Sequence, residues 1–290
     1  MRIGVFGNQC KGDQLHIIKG LFEKLHALHV DVFIQPMFYD FLQERFGYTP
    51  IVKGDLNASN MELDIALSVG GDGTFLRTVL QIHRHSIAIL GINTGTLGFL
   101  ADVGGDQIDE TLEELLRGDY KIEERSLLQL FCENRSSGSF DYALNEVAIL
   151  KRDTATMITI HAYLNDDYLA SYQGNGLLVA TPTGSTAYSM SVNGPILLPQ
   201  NRNFILSPVA PHSLNVRPIV IPDDYTITLK IESRTNTFLV SLDGRSEEMS
   251  DGIALKIKMA DFKAHLIKRF DHTFYQTLRE KLMWGAAGRK

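Results

Sequence analysis

The spacing of apolar residues changes near residue 120 of this 290-residue chain, and that change constrains the fold more than any other feature. Before it, short apolar runs at residues 2–6, 30–34, 65–69 and 87–92 alternate with segments whose apolar residues recur every three or four positions. Such alternation predicts right-handed βαβ units around a parallel sheet. From residue 120 to about 259 the spacing is mostly two, with turn residues between short runs, which predicts an all-β sandwich.

The last segment returns to helical spacing. In the stretch DHTFYQTLREKLMW, Phe274, Leu278 and Leu282 fall on one side, and Asp271 is the expected N-cap. An amphipathic helix that follows a β domain is expected to pack against the α/β half, which makes that domain discontinuous. The domains predicted in this way are an α/β nucleotide-binding domain of residues 1–120 with 262–290, and a β-sandwich domain of residues 121–261.

Two hairpins are predicted within the β half. The stretch TMITIHAYLNDDYLASY predicts two strands around a turn at residues 165–167. The stretch YTITLKIESRTNTFLVSLDG predicts a second hairpin around residues 234–236.

Charge and cysteine content narrow the partners and the compartment. A net charge of −6 and a pI near 5.8 argue against nucleic acid and anionic membranes as partners, since proteins that bind them are usually basic. No stretch approaches the roughly 18–20 apolar residues of a membrane span. Cys10 and Cys132 are two isolated thiols, which fit a reducing cytosol, and the apolar run at residues 2–6 is too short for a signal peptide. The expected compartment is the cytoplasm.

A glycine-rich loop, SVGGDGTFLR at residues 68–77, follows a strand-like run and precedes a helix-like one. Glycines let the backbone approach a ligand closely, and the helix points its free N–H groups at the same place, which suits a phosphate. The loop is not a P-loop, because no G-x-x-x-x-G-K-[ST] occurs, and it lacks G-x-G-x-x-G, because Leu76 occupies the third glycine position. The alternative is a tight strand-to-helix turn in which Asp72 only caps the helix.

Two further stretches point to a nucleotide. GINTGTLGFLADV, at residues 91–103, also follows a strand, so in a parallel sheet both glycine-rich loops emerge at the edge where ligands bind. TPTGSTAYSMSVNGP, at residues 181–195, carries small hydroxyl residues and one tyrosine, which suit ribose hydroxyls and an adenine face. The alternative for this stretch is a polar surface loop.

The sequence resembles the NAD kinases in three motifs that occur in the same chain order. They are the Gly70-Gly71-Asp72-Gly73-Thr74 loop, the Asn145-Glu146 pair and the segment 181–191. The resemblance extends through residues 91–102 and 242–245, and so covers most of the chain. Diacylglycerol kinases, sphingosine kinases and 6-phosphofructokinases carry similar GGDG loops, so the TPTGSTAYS run with Asn-Glu upstream is the more diagnostic part. The resemblance implies an NAD kinase/diacylglycerol kinase-like fold, with a Rossmann-like α/β domain, a β-sandwich and a cleft between them.

The resemblance also implies a reaction, in which the ATP γ-phosphoryl group passes to the 2′-hydroxyl of the adenosine ribose of NAD and gives NADP. A divalent cation, Mg²⁺ first, would accompany ATP; its ligands stay unassigned, because much of its coordination would come from phosphates and water. Members are usually homo-oligomers, which implies a homodimer or homotetramer whose NAD pocket is completed by a neighbouring subunit.

Carried over position by position, the resemblance makes Asp72 the catalytic carboxylate, placed to accept the proton of the attacking hydroxyl. The residues implied at the ATP phosphates are Gly70, Gly71, Gly73, Thr74 and Arg77. The residues implied at NAD are Asp72, Gly73, Arg77, Asn145, Glu146, Asn175, Thr183, Thr186, Ala187, Tyr188, Ser189, Met190 and Ser191.

The sequence departs from the family pattern at four positions. Asn175 stands where an acidic residue is usual, and Gln173 where a basic one is common. Asn193 replaces a usual glycine, and Arg245 replaces a commonly uncharged residue. Asparagine keeps an acceptor but loses the charge, so the first departure bears on how the far end of the substrate is held.

Two other functions stay open on the sequence alone. One is a lipid kinase of the same superfamily, which would need an apolar acceptor groove. The other is a protein that senses NAD(H) without turnover, which the presence of Asp72 disfavours.

Overall fold

The computed structural model describes residues 1–57, 61–95, 98–132, 141–152 and 156–285. The chain forms two compact units, one built from Met1–Glu124 together with the chain from Ala264 onward, and one from Arg125–Lys263. None of the helices in the described ranges is both long and apolar enough to cross a membrane.

In the described part of the first unit, parallel strands alternate with helices. The elements are β1 (Arg2–Gly7), α1 (Leu15–Ala27), β2 (Asp31–Ile34), α2 (Pro36–Phe46), β3 (Gly54–Asp55), β4 (Ile65–Val69), α3 (Asp72–Ile82), β5 (Ala88–Ile92) and α4 (Ile108–Arg117). The strands lie in the order β3-β2-β1-β4-β5 and pair in parallel. This is the order of a doubly wound sheet, which reverses its direction of growth between β1 and β4. The prediction of a Rossmann-like sheet is confirmed.

Local sequence explains where these elements begin and end. Every residue of β4 and β5 is buried, as expected for the central strands of a parallel sheet that is covered on both faces. Helix α2 begins at Pro36, whose fixed φ suits the first turn. It ends at Phe46, and the following Gly47 adopts the left-handed conformation (φ +60°).

The second unit is a sandwich of antiparallel strands. Its described elements are β6 (Lys121–Cys132, which enters from the first unit), β7 (Tyr142–Ala143), β8 (Glu146–Lys151), β9 (Ile158–Leu164), β10 (Asp167–Gly174), β11 (Gly176–Ala180), α5 (Tyr188–Ser191), β12 (Asn203–Val209), β13 (Ile219–Pro222), β14 (Ile227–Ser233), β15 (Thr237–Leu242), β16 (Arg245–Ser250) and β17 (Ala254–Lys268, which ends in the first unit). One sheet has the order β13-β12-β11-β8-β15-β16, and the other contains β10-β9-β14-β17. Apolar side chains from both sheets form one core, so the predicted β-sandwich is confirmed.

Of the two predicted hairpins, one is confirmed and the other is wrong. β9 and β10 pair around Asn165 and Asp166, which both have positive φ, as a tight two-residue turn requires. β14 and β15 are strands as predicted, but β14 pairs with β9 and β17, whereas β15 pairs with β8 and β16. The turn at residues 234–236 therefore carries the chain from one sheet to the other. A spacing of two identifies a strand and says nothing about its partner.

The chain returns to the first unit at its C-terminal end. There β17 ends in parallel with β5, and helix α6 (Phe274–Leu282) follows. The N-cap of α6 is Thr273, whose side chain accepts a hydrogen bond from the backbone N–H of Gln276, so the prediction of Asp271 was wrong. Asp271 instead lies 3.3 Å from the guanidinium of Arg269.

Ion pairs hold this C-terminal segment within the first unit, and one of them is buried on both sides. Lys268 Nζ lies 2.6 Å from Asp102 Oδ2, and both side chains are 7% exposed. The guanidinium of Arg269 lies 2.8 Å from Glu110 and 2.9 Å from Glu114, both on α4. The segment is therefore held by charged contacts to the loop after β5 and to the helix that follows it.

Loss of one partner of the Lys268–Asp102 pair would leave the other buried and charged. We expect Lys268→Met to destabilise the protein by about 3–5 kcal/mol, measured by urea unfolding. The double variant Lys268→Met, Asp102→Leu should recover most of the loss. Lys53→Met is the control, because it breaks an exposed ion pair with Asp31 and should change stability far less. Equal effects of Lys268→Met and Lys53→Met would contradict this account.

Candidate active site

The glycine-rich loop lies where the parallel sheet reverses its direction of growth. It follows β4, the neighbour of β1, at the carboxyl ends of the strands, where ligands bind in sheets of this kind. Gly70 has φ +148°, a conformation that favours glycine. Gly71 is the N-cap of α3 and Asp72 is the first helical residue. The alternative in which Asp72 caps the helix is therefore wrong.

The carboxylate of Asp72 reaches across to the loop after β5. Oδ2 accepts the backbone N–H of Phe99 at 2.9 Å, and Oδ1 accepts those of Leu100 and Ala101 at 3.0 and 3.1 Å. A side chain at residue 98 would collide with this carboxylate, so the contact requires Gly98. Each carboxylate oxygen accepts about two hydrogen bonds, which leaves one acceptor position on Oδ2 for another group.

The start of α3 leaves room for a ligand. A Cβ added at Gly71 or at Gly73 would meet no atom of the described residues within 4 Å. The chain's own packing therefore does not require glycine at either position, and the free N–H groups of the first helical turn are accessible there.

A cavity of about 180 Å³ adjoins the same helix. It is bounded by the end of β1, by α2 and by α3. Its lining includes Gly7, Asn8, Gln9, Gln35, Met37, Phe41, Thr74, Arg77, Thr78 and Gln81. Arg77 is exposed, and its guanidinium lies 3.5 Å from Thr74 Oγ1. The cavity thus combines an apolar wall on α2 with a cation near the helix N-terminus.

A second aspartate holds the Asn-Glu pair in the second unit. Asp243 accepts the backbone N–H groups of Leu144, Asn145 and Glu146 at 2.7, 2.8 and 3.1 Å. It lies in a tight turn with Gly244, and both residues have positive φ. An Asp-Gly pair is typical of a tight turn, but the sequence contains no signal for hydrogen bonds to residues about a hundred positions away.

Glu146 is buried beside Asp243, and its electrostatics are unusual. Its side chain is 8% exposed, and Oε2 has no hydrogen-bond partner among the described residues. Burial, and to a lesser degree the charge of Asp243, raise the pKa of Glu146 to about 8, against a hydrogen bond from the backbone N–H of Tyr188. Burial also raises the pKa of Asp243, but its three N–H donors and Arg245 oppose that effect. With a pKa of about 8, Glu146 is largely protonated at pH 7.

The segment that follows β11 packs directly on the Asn-Glu pair. The backbone N–H of Thr181 donates to Asn145 O at 2.9 Å, and its hydroxyl donates to Leu144 O. Gly184 lies against the backbone of Asn145, where a Cβ would collide. Tyr188 is 36% exposed at the start of α5. Most other predicted residues of this segment are partly or fully accessible: Thr183, Thr186, Ala187, Met190 and Ser191.

Two predicted NAD residues do not join this group. Ser189 is fully buried, and its hydroxyl contacts Ser207 at 3.2 Å, so it packs the loop rather than facing a ligand. Asn175 precedes β11, whereas Thr181 follows it, and the six residue-to-residue steps between them span about 20 Å in a strand. Asn175 therefore lies at the opposite end of the strand. Nearby, Asn193 has φ +64°, which explains why a residue that tolerates the left-handed region stands there.

The raised pKa of Glu146 predicts a pH-dependent stability. Because its folded-state pKa, about 8, exceeds the ordinary value of about 4.3, the contribution of Glu146 to stability is largest below about pH 4 and falls as pH rises to 8. Glu146→Gln should remove this loss, on the order of 5 kcal/mol, and flatten the dependence of the melting temperature on pH between pH 5 and 8.5. Glu248→Gln, an exposed carboxylate of the same unit, should follow the wild type. If the melting temperature of Glu146→Gln depends on pH as that of the wild type does, the Glu146 carboxyl of the wild type ionises normally.

Comparison with known proteins gives the family. The ATP-NAD kinase N-terminal domain matches residues 20–120, and the ATP-NAD kinase C-terminal domain matches residues 144–269. An NAD kinase of Porphyromonas gingivalis is 48% identical over 288 residues, and one of Bacteroides fragilis is 46% identical over 291 residues. These alignments cover 99% and 100% of this chain, and the same shares of the two relatives.

Solved structures agree. A yeast NADH kinase complexed with NADH superposes with a TM-score of 0.88 at 21% identity, covering 100% of this chain and 89% of that one, and at this identity it supports the fold alone. An NAD kinase from Archaeoglobus fulgidus in complex with ATP gives a TM-score of 0.75 at 27% identity, covering 98% of this chain and 99% of that one. From the domain matches and the full-length relatives, the chain belongs to the NAD kinase family.

Proposed function

We propose that this chain transfers the γ-phosphoryl group of ATP to the 2′-hydroxyl of the adenosine ribose of NAD, producing NADP. Family membership supports a kinase that acts on NAD. The observation that carries the mechanism is the N-terminus of α3, where Gly71 and Gly73 leave open space beside the Asp72 carboxylate.

Donor phosphates would bind at the start of α3. Gly70, Gly71 and Gly73 allow close approach of a phosphate, and the N–H groups of the helix N-terminus attract negative charge. Thr74 and Arg77 add a hydroxyl and a cation at the adjoining cavity. The Archaeoglobus fulgidus relative was solved with ATP, which supports ATP as the donor.

Asp72 would accept the proton of the attacking hydroxyl through Oδ2. Oδ1 is already occupied by two backbone N–H groups, whereas Oδ2 accepts only one. A positioned carboxylate within hydrogen-bond reach of a hydroxyl removes its proton as the bond to phosphorus forms. We therefore assign the base to one oxygen of Asp72 and the anchoring of the loop to the other.

The adenosine of NAD would be bound by residues of the second unit. A protonated Glu146 offers both an O–H donor and an acceptor, which match the alternating needs of a ribose diol. Tyr188 offers an accessible ring for the adenine face. The other residues in this proposal are Asn145, Thr183, Thr186, Ala187, Met190 and Ser191.

The position of Asn175 supports a homo-oligomer. Asn175 lies about 20 Å from Thr181 along β11, so it cannot line the same pocket from within one chain. If Asn175 contacts NAD at all, it does so at the site of a second copy. We therefore propose a homodimer or homotetramer with shared NAD sites.

We also propose that the reaction uses a divalent cation, for which Mg²⁺ is the first candidate. Among the described residues no three carboxylate, histidine or cysteine side chains form a metal cluster, so the donor phosphates and water would supply most of its ligands. Such a cation would neutralise charge on the phosphates during transfer. We propose that the reaction takes place in the cytoplasm. The two isolated cysteines fit a reducing compartment, and the cytoplasm supplies ATP.

The direct test incubates the purified protein with ATP, Mg²⁺ and NAD and measures NADP. Formation of NADP is the expected result. Absence of NADP with any nucleoside triphosphate or polyphosphate would contradict the proposed function and leave a protein that binds NAD(H) without turnover. The lipid-kinase alternative receives no support from the domain matches, which are to NAD kinases.

Gly73 offers a test of the phosphate site. A methyl group at residue 73 would meet no protein atom but would enter the space assigned to phosphate. We expect Gly73→Ala to keep the wild-type melting temperature and to raise the Michaelis constant for ATP at least about tenfold, a loss of roughly 1.4 kcal/mol of binding. Gly20→Ala, at an equally open position in α1, is the matched control. An unchanged Michaelis constant for ATP in Gly73→Ala would show that no phosphate of ATP binds at this position.

Asp72→Asn tests the base. The amide keeps an oxygen for the N–H groups of Leu100 and Ala101 but presents an NH₂ group to the N–H of Phe99, so the loop also loses a bond. We expect turnover to fall about 10²–10⁴-fold. Asn93→Ala is the control, because Asn93 donates to Ala101 O and holds the same loop without touching the reaction. Equal losses of turnover in both variants at equal melting temperature would make Asp72 a purely structural residue.

A further inference from the structure

Helix α6 presents one lysine to the Asp72 carboxylate. Lys281 Nζ lies 3.6 Å from Asp72 Oδ2 and 4.8 Å from the centre of the Phe99 ring. Both residues belong to the first unit, although they are more than two hundred positions apart in sequence. The ammonium therefore lies beside the oxygen to which the proposed function assigns the proton transfer.

Lys281 lies on the same side of α6 as the buried residues of the helix, and its side chain is 32% exposed. It follows Thr277 by four positions and Leu278 by three, and both of those residues are buried, so all three share the face that packs on the protein. Phe274 lies on the same face, and the centre of its ring is 6.2 Å from the centre of the Phe99 ring. Arg279, in the same last turn, is exposed. Packing of α6 therefore directs Lys281 toward Asp72.

A purely structural role explains this placement poorly. The Lys281 and Asp72 side chains are 32% and 30% exposed, and ion pairs of this exposure contribute about 0–1 kcal/mol. A cation beside the carboxylate also opposes its action as a proton acceptor, because it stabilises the charged form. A lysine that stayed at Oδ2 throughout the reaction would hinder the base.

Phosphoryl transfer supplies a second partner for this ammonium. Negative charge spreads over the oxygens of the transferring group, and catalysis depends on cations positioned around it. The attacking hydroxyl must lie within about 3 Å of Oδ2, so the transferring phosphorus lies within reach of the flexible lysine side chain.

We propose that Lys281 contacts the transferring phosphoryl group and that, by moving to it, it leaves Oδ2 to the attacking hydroxyl. This inference rests on the proposed function. The bond between the γ-phosphorus and the β–γ bridging oxygen breaks and ADP leaves. The 2′-oxygen bonds to that phosphorus, and its proton passes to Asp72. Lys281 carries no proton in this step; it neutralises charge on the transferred group.

The test compares Lys281→Met, Lys281→Arg and the control Arg279→Met, which removes a positive charge from the exposed side of the same helix. Steady-state kinetics give kcat and the Michaelis constants, and calorimetry gives the affinity for tripolyphosphate. We expect Lys281→Met to lower kcat about 10²-fold, as when one preorganised donor to developing charge is removed. Its tripolyphosphate affinity should fall, while its Michaelis constant for NAD and its melting temperature match the control. Lys281→Arg should restore a measurable part of kcat.

Wild-type kcat and tripolyphosphate affinity in Lys281→Met would overturn the proposal. So would an equal loss in Lys281→Arg together with a lowered melting temperature, since that result describes a structural contact. If the wild type forms no NADP, the proposed function fails, and the titration still decides: a loss of tripolyphosphate affinity in Lys281→Met supports the phosphate contact, and an unchanged affinity overturns it.

Discussion

The carboxylate of Asp72 holds three consecutive backbone N–H groups of the loop at residues 99–101, and the site in the first unit depends on that interaction. It links the loop after β4 to the loop after β5 and explains why Gly98 must lack a side chain. The two carboxylate oxygens also differ in the number of hydrogen bonds that they accept. Oδ1 accepts two and has no acceptor position left, whereas Oδ2 accepts one. The carboxylate that we propose as the base therefore also anchors the loop after β5.

The second unit uses the same device. Asp243 holds residues 144–146 through three N–H groups, and this contact places Glu146 beside a buried negative charge. Burial raises the pKa of both neighbouring carboxyls, that of Glu146 to about 8, and the N–H donors of residues 144–146 oppose the shift at Asp243. Buried acids with raised pKa values are typical of sites that bind or transform substrates.

The sequence predicted features that have a local or periodic signature. These include the alternation of strands and helices, the parallel sheet, the return of the C-terminal helix and the loop of Gly70 to Thr74. It failed where the answer depended on partners far away in the chain. Three such contacts have no local pattern in the sequence. They are the pairing of β14 with β9, the hydrogen bonds of Asp243 to residues 144–146, and the approach of Lys281 to Asp72. The N-cap of α6 failed for a different reason, because Asp271 and Thr273 are both good caps and the choice depends on Arg269.

The central claim is that Asp72 anchors its loop through Oδ1 and receives the acceptor hydroxyl through Oδ2. A crystal structure of the protein with NAD and a non-hydrolysable ATP analogue tests this most directly. The account predicts that Oδ1 keeps its bonds to the N–H groups of Leu100 and Ala101, while the 2′-hydroxyl oxygen lies about 2.6–3.2 Å from Oδ2. A complex in which the hydroxyl approaches another side chain, with no oxygen of Asp72 within hydrogen-bond reach, would contradict it.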